Sequence, residues 1–164
     1  MLNNNNEIKF IRVTKDNLFK LYQLESSKKV MGKYQNYFKG SFLQYKKKFV
    51  NNKKNIYYFL INIDKKCIGF VYYFFEKRFN TYEIGCTITP NYRGQKIGKL
   101  SQLWLIKNIY KKWGKIRIQA ITTKSNIAEI KVLRKLKFIK EGVLKKAGKK
   151  GSGYYDLEIY AIPR

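Results

Sequence analysis

Residues 56–89 form an almost unbroken succession of aromatic and β-branched side chains, interrupted at Asp64-Lys65-Lys66 and again between residues 76 and 81. Runs of this texture at 56–63, 67–76 and 81–89, with turn-sized gaps between them, predict three successive antiparallel strands. Arg93-Gly94-Gln95-Lys96 then breaks the pattern, and residues 97–113 carry Leu100, Leu103, Trp104, Ile106 and Ile109 at helical spacing. Strand, glycine-containing loop and helix follow one another directly, so the chain mixes the two element types in one fold.

The same reading extends to both sides. Residues 7–13 read as a first strand, and Thr14 with Asp16 opens a helix leading into residues 17–25. Residues 37–50 place Tyr37, Phe38, Phe42, Tyr45 and Phe49 at mixed three- and four-residue spacing, which predicts an amphipathic helix with its lysines in water. Downstream come a strand at 116–122, a helix at 126–136, and two last strands at 138–144 and 154–162 around a turn region at 148–153. No repeat or linker divides this β-α-α-β-β-β-α-β-α-β-β order, so residues 1–164 are expected to be one domain.

Composition removes several function classes. The chain has no histidine, and Cys67 and Cys86 lack CxxC spacing, so the usual zinc sites and Cys-His nucleophiles are excluded and both thiols are expected in the core. The longest apolar stretch, residues 67–75, is far shorter than the roughly 20 residues of a membrane-spanning helix. The asparagine-rich leader, residues 1–7, lacks the basic-then-apolar order of a secretory signal, and a cytoplasmic location is expected. The net charge of +26 raises ribosome or RNA proximity. Base composition is the competing cause, because lysine, asparagine, isoleucine, tyrosine and phenylalanine all have A/T-rich codons.

A loop between a strand and a helix presents unpaired backbone N–H groups at the positive end of the helix dipole. Here the loop is Asn91-Tyr92-Arg93-Gly94-Gln95-Lys96-Ile97-Gly98-Lys99. Gly94 and Gly98 let the backbone approach a ligand closely, and Arg93, Lys96 and Lys99 add cations, a combination suited to a pyrophosphate. Neither a Walker loop nor a Rossmann fingerprint fits, because Gly94 and Gly98 are too close together and Leu100 follows Lys99.

Pro90-Asn91-Tyr92-Arg93-Gly94-Gln95-Lys96-Ile97-Gly98 resembles the P-x-Y-R-G-x-G-I-G form of the [QR]-x-x-G-x-[GA] loop of the GNAT acetyltransferases, with Lys96 at the middle glycine. Arg117-Ile118-Gln119-Ala120, Asn126, Val132-Leu133, Lys135-Leu136, Phe138, Glu141-Gly142 and Tyr155-Asp156-Leu157 follow in an order similar to that of the RimJ/RimL branch. Glu129 stands where that pattern has serine or alanine, and Lys137 where it has glycine before Phe138. The resemblance covers nearly the whole chain from Glu7 onward.

It implies an α/β (α+β) GNAT fold: a single mixed, mostly antiparallel sheet with splayed fourth and fifth strands and helices on both faces. It also implies acetyl-CoA (coenzyme A) as cofactor, with an amine acceptor. The phosphates would sit on residues Arg93, Gly94, Gln95, Lys96, Ile97, Gly98 and Lys99. The pantetheine arm would run along Cys86, Thr87 and Ile88, and Gly85 would form the bulge that starts the splay. Asn126 would touch the arm from the other side, or cap a helix. Glu83 would be the general base, directly or through water, with a solvated carboxylate paired to a lysine as the alternative. A backbone N–H near Ile88 would receive the oxyanion. Many family members donate a proton to the leaving thiolate from a tyrosine at the position held here by Leu133; Tyr154, Tyr155 and water are the substitutes. Asp156 would orient the amine or pair with a lysine.

Three functions fit these residues. The first is N-acetylation of a primary amine, with the branch pointing to a protein N-terminus of ribosomal type. The second is acetylation of a small-molecule amine such as a nucleotide-linked amino sugar. The third is an inactive GNAT-fold module that binds nucleic acid, using Lys145, Lys146, Lys149 and Lys150 in a glycine loop. A monomer or homodimer suits each, and polyamines or aminoglycosides rank lower because a strongly cationic protein repels them.

Overall fold

The structure is a computed structural model that describes residues 7–51 and 55–163; most of the asparagine-rich leader therefore lies outside the described residues. The aromatic succession forms the centre of a seven-stranded sheet. β1 (Ile8–Arg12), β2 (Ile56–Ile63), β3 (Lys66–Glu76) and β4 (Thr81–Ile88) make an antiparallel meander in chain order. β5 (Arg117–Thr123) joins β4 in parallel, and β6 (Ile139–Lys150) and β7 (Gly153–Ile162) complete the order β1-β2-β3-β4-β5-β7-β6.

Residues directly opposite each other across a strand pair share a face of the sheet, so the register sorts the side chains. One face carries Phe59, Ile61, Val71, Tyr73, Tyr82, Ile84, Ile118, Ala120 and Tyr160 in a single buried cluster. It is covered by α4 (Ile97–Trp113), through Ile97, Leu105, Ile106 and Ile109, and by α5 (Ile127–Lys135), through Ile130 and Leu133. The other face carries Leu60 and Phe70 against α1 (Leu18–Ser26) and α3 (Phe42–Asn51), joined by the short α2 (Lys28–Met31). Helices therefore stand on both faces, as expected.

Three local expectations change. The helix expected over 37–50 begins only at Phe42, because Ser41 and Gln44 exchange the hydrogen bonds that start it: Ser41 N–H donates to Gln44 Oε1 (2.8 Å) and Gln44 N–H to Ser41 Oγ (3.3 Å). Tyr37 and Phe38 precede it in a loop, where Phe38 still packs on the core through the Tyr45 ring. The turn region expected at 148–153 shrinks to residues 151 and 152, so Lys145 through Lys150 lie in a β-hairpin and not a glycine loop. Gly85 forms no bulge. β3 and β4 pair without a break from Gly69↔Ile88 to Glu76↔Thr81.

What Gly85 provides is space. A Cβ there would lie 2.3 to 2.6 Å from the ring and hydroxyl of Tyr72, its partner across the strand pair, far inside contact distance. The tyrosine lies over the glycine, a close approach that any side chain would prevent.

Candidate active site

β4 and β5 are paired only at Thr81↔Arg117, Tyr82↔Ile118 and Glu83↔Gln119. Beyond Glu83 they part, and a cleft of about 720 Å³ passes through the gap and touches both faces of the sheet. Thr89 N–H donates to the Ile68 carbonyl on β3 (2.9 Å). Alternation along an antiparallel strand then turns the backbone groups of Cys86 and Ile88 away from β3, toward the gap.

At one end of the cleft lies the loop before α4. Among the described residues, none of the amides from Gly94 to Lys99 has a hydrogen-bond partner, whereas the next one, Leu100 N–H, donates to Lys96 O (3.1 Å). Six adjacent free amides at the positive end of a 17-residue helix are an anion cradle. Gly94 (φ 77°) and Lys96 (φ 63°) both adopt the left-handed conformation, so Lys96 takes the backbone shape that glycine favours.

The loop residues are used unequally. Gly94, Lys96, Gly98 and Lys99 line the cleft. Ile97 turns its side chain into the core, and the Gln95 side chain donates to Asn91 O (3.1 Å), so these two offer the cleft only backbone. Arg93 is a clamp: its Nε donates to the Ile88 carbonyl (2.8 Å) and its Nη2 to the Val30 carbonyl (2.6 Å), tying the loop to the end of β4 and to α2. Its backbone N–H is also spent, on Pro90 O (3.2 Å). The guanidinium thus makes structural bonds through Nε and Nη2 while Arg93 also lines the cleft beside the free amides.

Cys86, Thr87 and Ile88 form the β4 wall of the cleft. Cys86 opens on it as well as packing against the core, and burial pushes its thiol well up, with Glu129 adding to the effect. Thr87 Oγ1 donates to Gln35 Oε1 (2.9 Å), which draws the α2 side of the fold against β4. Asn126 lines the opposite wall and also caps α5: its Oδ1 accepts from Glu129 N–H (3.5 Å) and its Nδ2 donates to Thr122 Oγ1 (3.2 Å).

Glu83 sits where the splay begins. Its Oε2 accepts from Gln119 Nε2 (3.0 Å), with no lysine among the described residues in ion-pair range. Burial pushes its carboxyl above the usual range, the Gln119 bond pulls it back, and Glu76 pushes it up. A half-buried carboxylate held by a neutral amide is suited to taking a proton, and among the described residues no lysine pairs with it. Asp156, by contrast, pairs with Lys145 Nζ (2.8 Å) on the hairpin.

Sequence reasoning missed the residues that complete the cleft from a distance. Tyr34 and Gln35 come from the loop after α2, Tyr72 from β3, Ile121 from β5 and Leu157 from β7. The aromatic texture of β3 gave no sign of which ring faces the gap; Gly85 opposite Tyr72 is the signal that could have found it.

The family model described as the acetyltransferase (GNAT) family matches residues 16–138. An uncharacterised N-acetyltransferase of Bacillus subtilis (strain 168), YnaD, is 31% identical over 120 residues, 71% of each chain. Among solved structures, RimL, a ribosomal L7/L12 alpha-N-protein acetyltransferase in complex with coenzyme A, superposes with a TM-score of 0.83 at 19% identity, covering 95% of this chain and 93% of that one. Spermidine N-acetyltransferase from Vibrio cholerae, in complex with CoA and spermine, gives 0.83 at 15% identity over 94% of both.

Proposed function

The chain belongs to the GNAT acetyltransferase family, and on that premise we propose that it acetylates the N-terminal amine of a polypeptide with acidic side chains, of the ribosomal-protein kind. The donor is acetyl-CoA, whose thioester supplies the acetyl group. What carries the reading is a cleft that crosses the sheet with six free amides at one end and a half-buried carboxylate, Glu83, inside it, with no lysine among the described residues in ion-pair range.

Each part of this chain has a task in that reaction. The amides of Gly94, Gln95, Lys96, Ile97, Gly98 and Lys99 hold the pyrophosphate, and Arg93 keeps the loop in place for them. The backbone of Cys86, Thr87 and Ile88 steadies the pantetheine arm, with Asn126 on the other wall. The Ile88 N–H, turned into the gap, stabilises negative charge on the acetyl oxygen. Glu83 takes the proton that an ammonium acceptor must lose before it can attack.

The acceptor class follows from the rim. A second groove of about 660 Å³ shares Lys33, Tyr34 and Thr123 with the cleft and continues past Lys124, Lys150 and Tyr155. It also holds one carboxylate, Asp156, which is paired with Lys145, so its three lysines leave a positive balance that attracts an acidic peptide and opposes a polycation. A nucleotide-linked amino sugar presents the same negative charge, and the test must separate the two.

Thiol release from acetyl-CoA should be measured with a peptide bearing an acidic N-terminal segment, its basic counterpart, a nucleotide-linked amino sugar and spermidine. The acidic peptide is expected to give the highest kcat/KM, with a steep fall as salt is added. A higher value for the amino sugar would replace the peptide as acceptor, and no release with any amine would remove the activity. Ribosome proximity has its own comparison: reversing the charge of Lys146 and Lys149, hairpin lysines that do not line this groove, should slow acetylation of a ribosome-bound N-terminus and spare a short free peptide.

A further inference from the structure

Two carboxylates line the cleft among the described residues, Glu83 and Glu129, and they come from opposite faces of the sheet. Glu83 projects from β4 on the face shared with Tyr72 and covered by α1–α3. Glu129 projects from α5, which packs on the other face beside α4 and its free amides. In a chain with 36 lysines and arginines, neither carboxylate has a cationic partner in ion-pair range among the described residues. Each is held by a glutamine: Gln119 for Glu83 and Gln102 for Glu129 (Nε2 to Oε1 2.9 Å, to Oε2 3.2 Å). A neutral amide orients a carboxyl group without fixing its charge as a lysine would.

The local explanation for Glu129 does not account for it. Asn126 and Glu129 have capping-box spacing, in which the glutamate would reach back to the N-cap amide. Here Asn126 N–H instead donates to Thr123 O (3.0 Å), and the Glu129 carboxyl turns across to α4. It lies there beside a buried polar seam in which Ser101 Oγ and Gln102 Oε1 have no partner. The α5 dipole favours the ionised form, yet burial dominates and pushes this carboxyl up, with the Gln102 bonds pulling the other way.

Resting on the acetyl-transfer reading above, we infer that Glu129 is the proton donor to the departing sulfur, the acid opposite the Glu83 base. Transfer forms the bond between amine nitrogen and acetyl carbon and breaks the carbon–sulfur bond. The nitrogen of an ammonium acceptor loses two protons, one to Glu83 before attack and one as the amide forms, which Glu83 takes after passing the first to solvent; Glu129 supplies one to the sulfur and is recharged from solvent, so one proton is released per turnover and no other reactant is needed. The tyrosine alternatives are worse placed. The family's tyrosine position is the buried Leu133, Tyr154 is exposed near the hairpin turn, Tyr155 lines the second groove and not the cleft, the Tyr34 hydroxyl donates to Ser125 O (2.7 Å), and Tyr72 stands on the face of the base. The other titratable groups on the cleft wall that bear on Glu129 are Cys86 on β4, Tyr72 on β3, Lys99 on α4, and Lys131 and Lys135 on α5.

The test is Glu129→Gln, which keeps the side-chain shape and a hydrogen-bonding end for Gln102. The rate is expected to fall on the order of 10²-fold in kcat, with KM for acetyl-CoA little changed, and the alkaline fall of the pH–rate profile should go with it. A second readout needs no turnover: the thiol of bound coenzyme A, titrated by its thiolate absorbance. An ionised carboxylate beside it opposes the thiolate, so Glu129→Gln should lower that thiol's pKa by about one unit. An unchanged thiol pKa, or wild-type kcat in the variant, overturns the assignment. If the wild type acetylates none of the amines, the activity reading fails while the thiol titration still decides the place of Glu129.

Discussion

The two ends of the cleft are built in opposite ways. The proposed phosphate end comes from one continuous segment, residues 90–99, and offers backbone amides. The proposed acceptor end is assembled from Tyr34, Gln35, Tyr72, Glu83 and Leu157, which lie on four separate stretches of chain and act through side chains. A site made of local backbone geometry needs only turn residues and a helix start, whereas a site made of converging side chains needs the whole sheet in register. Damage to the first should therefore remove binding and spare the fold, and damage to the second should remove turnover and spare binding.

The largest expected effect falls at the phosphate end. A Cβ at Gly98 would meet only Ile88 Cγ1, at 3.9 Å, an ordinary contact. Gly98→Val therefore fits the unliganded fold, and its branched side chain would stand among the free amides. At a ligand concentration 100-fold above Kd, acetyl-CoA stabilises a protein by about 2.7 kcal/mol, which is a rise in Tm on the order of 5–10 °C for a chain of this size. Thermal melting should show most of that rise gone in the variant, with the unliganded Tm nearly unchanged. An undiminished rise would mean that the phosphates sit elsewhere.

At the acceptor end, Glu83→Gln should lower kcat on the order of 10²-fold and leave the acetyl-CoA-induced Tm rise intact. The pH dependence has a definite sign. Because the folded carboxyl titrates above its unfolded value, Glu83 favours folding at low pH, and that contribution is lost as pH rises through the folded pKa. Glu83→Gln should therefore be no less stable than wild type at neutral pH, while the rise of the rate with pH that reports the base disappears. Unchanged kcat would reduce Glu83 to a structural role.

The same division explains what was legible in the sequence. The strand runs at 56–63 and 81–89, the helix at 97–113 and the glycine-containing loop before it were readable because each signal is local: side-chain periodicity, turn residues and a helix start. The Arg93 clamp was not readable, since its acceptors, the carbonyls of Ile88 and Val30, are backbone groups that carry no residue-type signal. Nor were the glutamine partners, because Gln119 meets Glu83 only through the parallel β4–β5 register and Gln102 meets Glu129 only through the packing of α4 on α5. The late start of α3 had a local cause, the Ser41–Gln44 exchange, which the aromatic spacing of residues 37–50 outweighed on the page.

The smallest effect gives the sharpest comparison, because it uses two lysines in the same backbone conformation, one inside the site and one outside. Lys96 precedes α4 at φ 63°, and Lys137 follows α5 at φ 68°. At Lys137 the chain closes the helix with Phe138 N–H on Leu133 O (3.0 Å) and Lys137 N–H on Arg134 O (3.1 Å), a C-terminal arrangement in which glycine is the usual residue. A left-handed non-glycine residue costs roughly 1–2 kcal/mol, and glycine returns roughly 0.5–1 kcal/mol of that through the freedom of the unfolded chain. Lys96→Gly and Lys137→Gly should each raise the unliganded Tm by about 1–4 °C. Only Lys96→Gly should touch acetyl-CoA, and by less than about tenfold in Kd, since its backbone amide remains and one exposed cation is lost. Equal effects of the two on Kd would place the phosphates away from residues 94–99, and a fall in Tm for both would show that the lysine side chains make contacts that outweigh the strain.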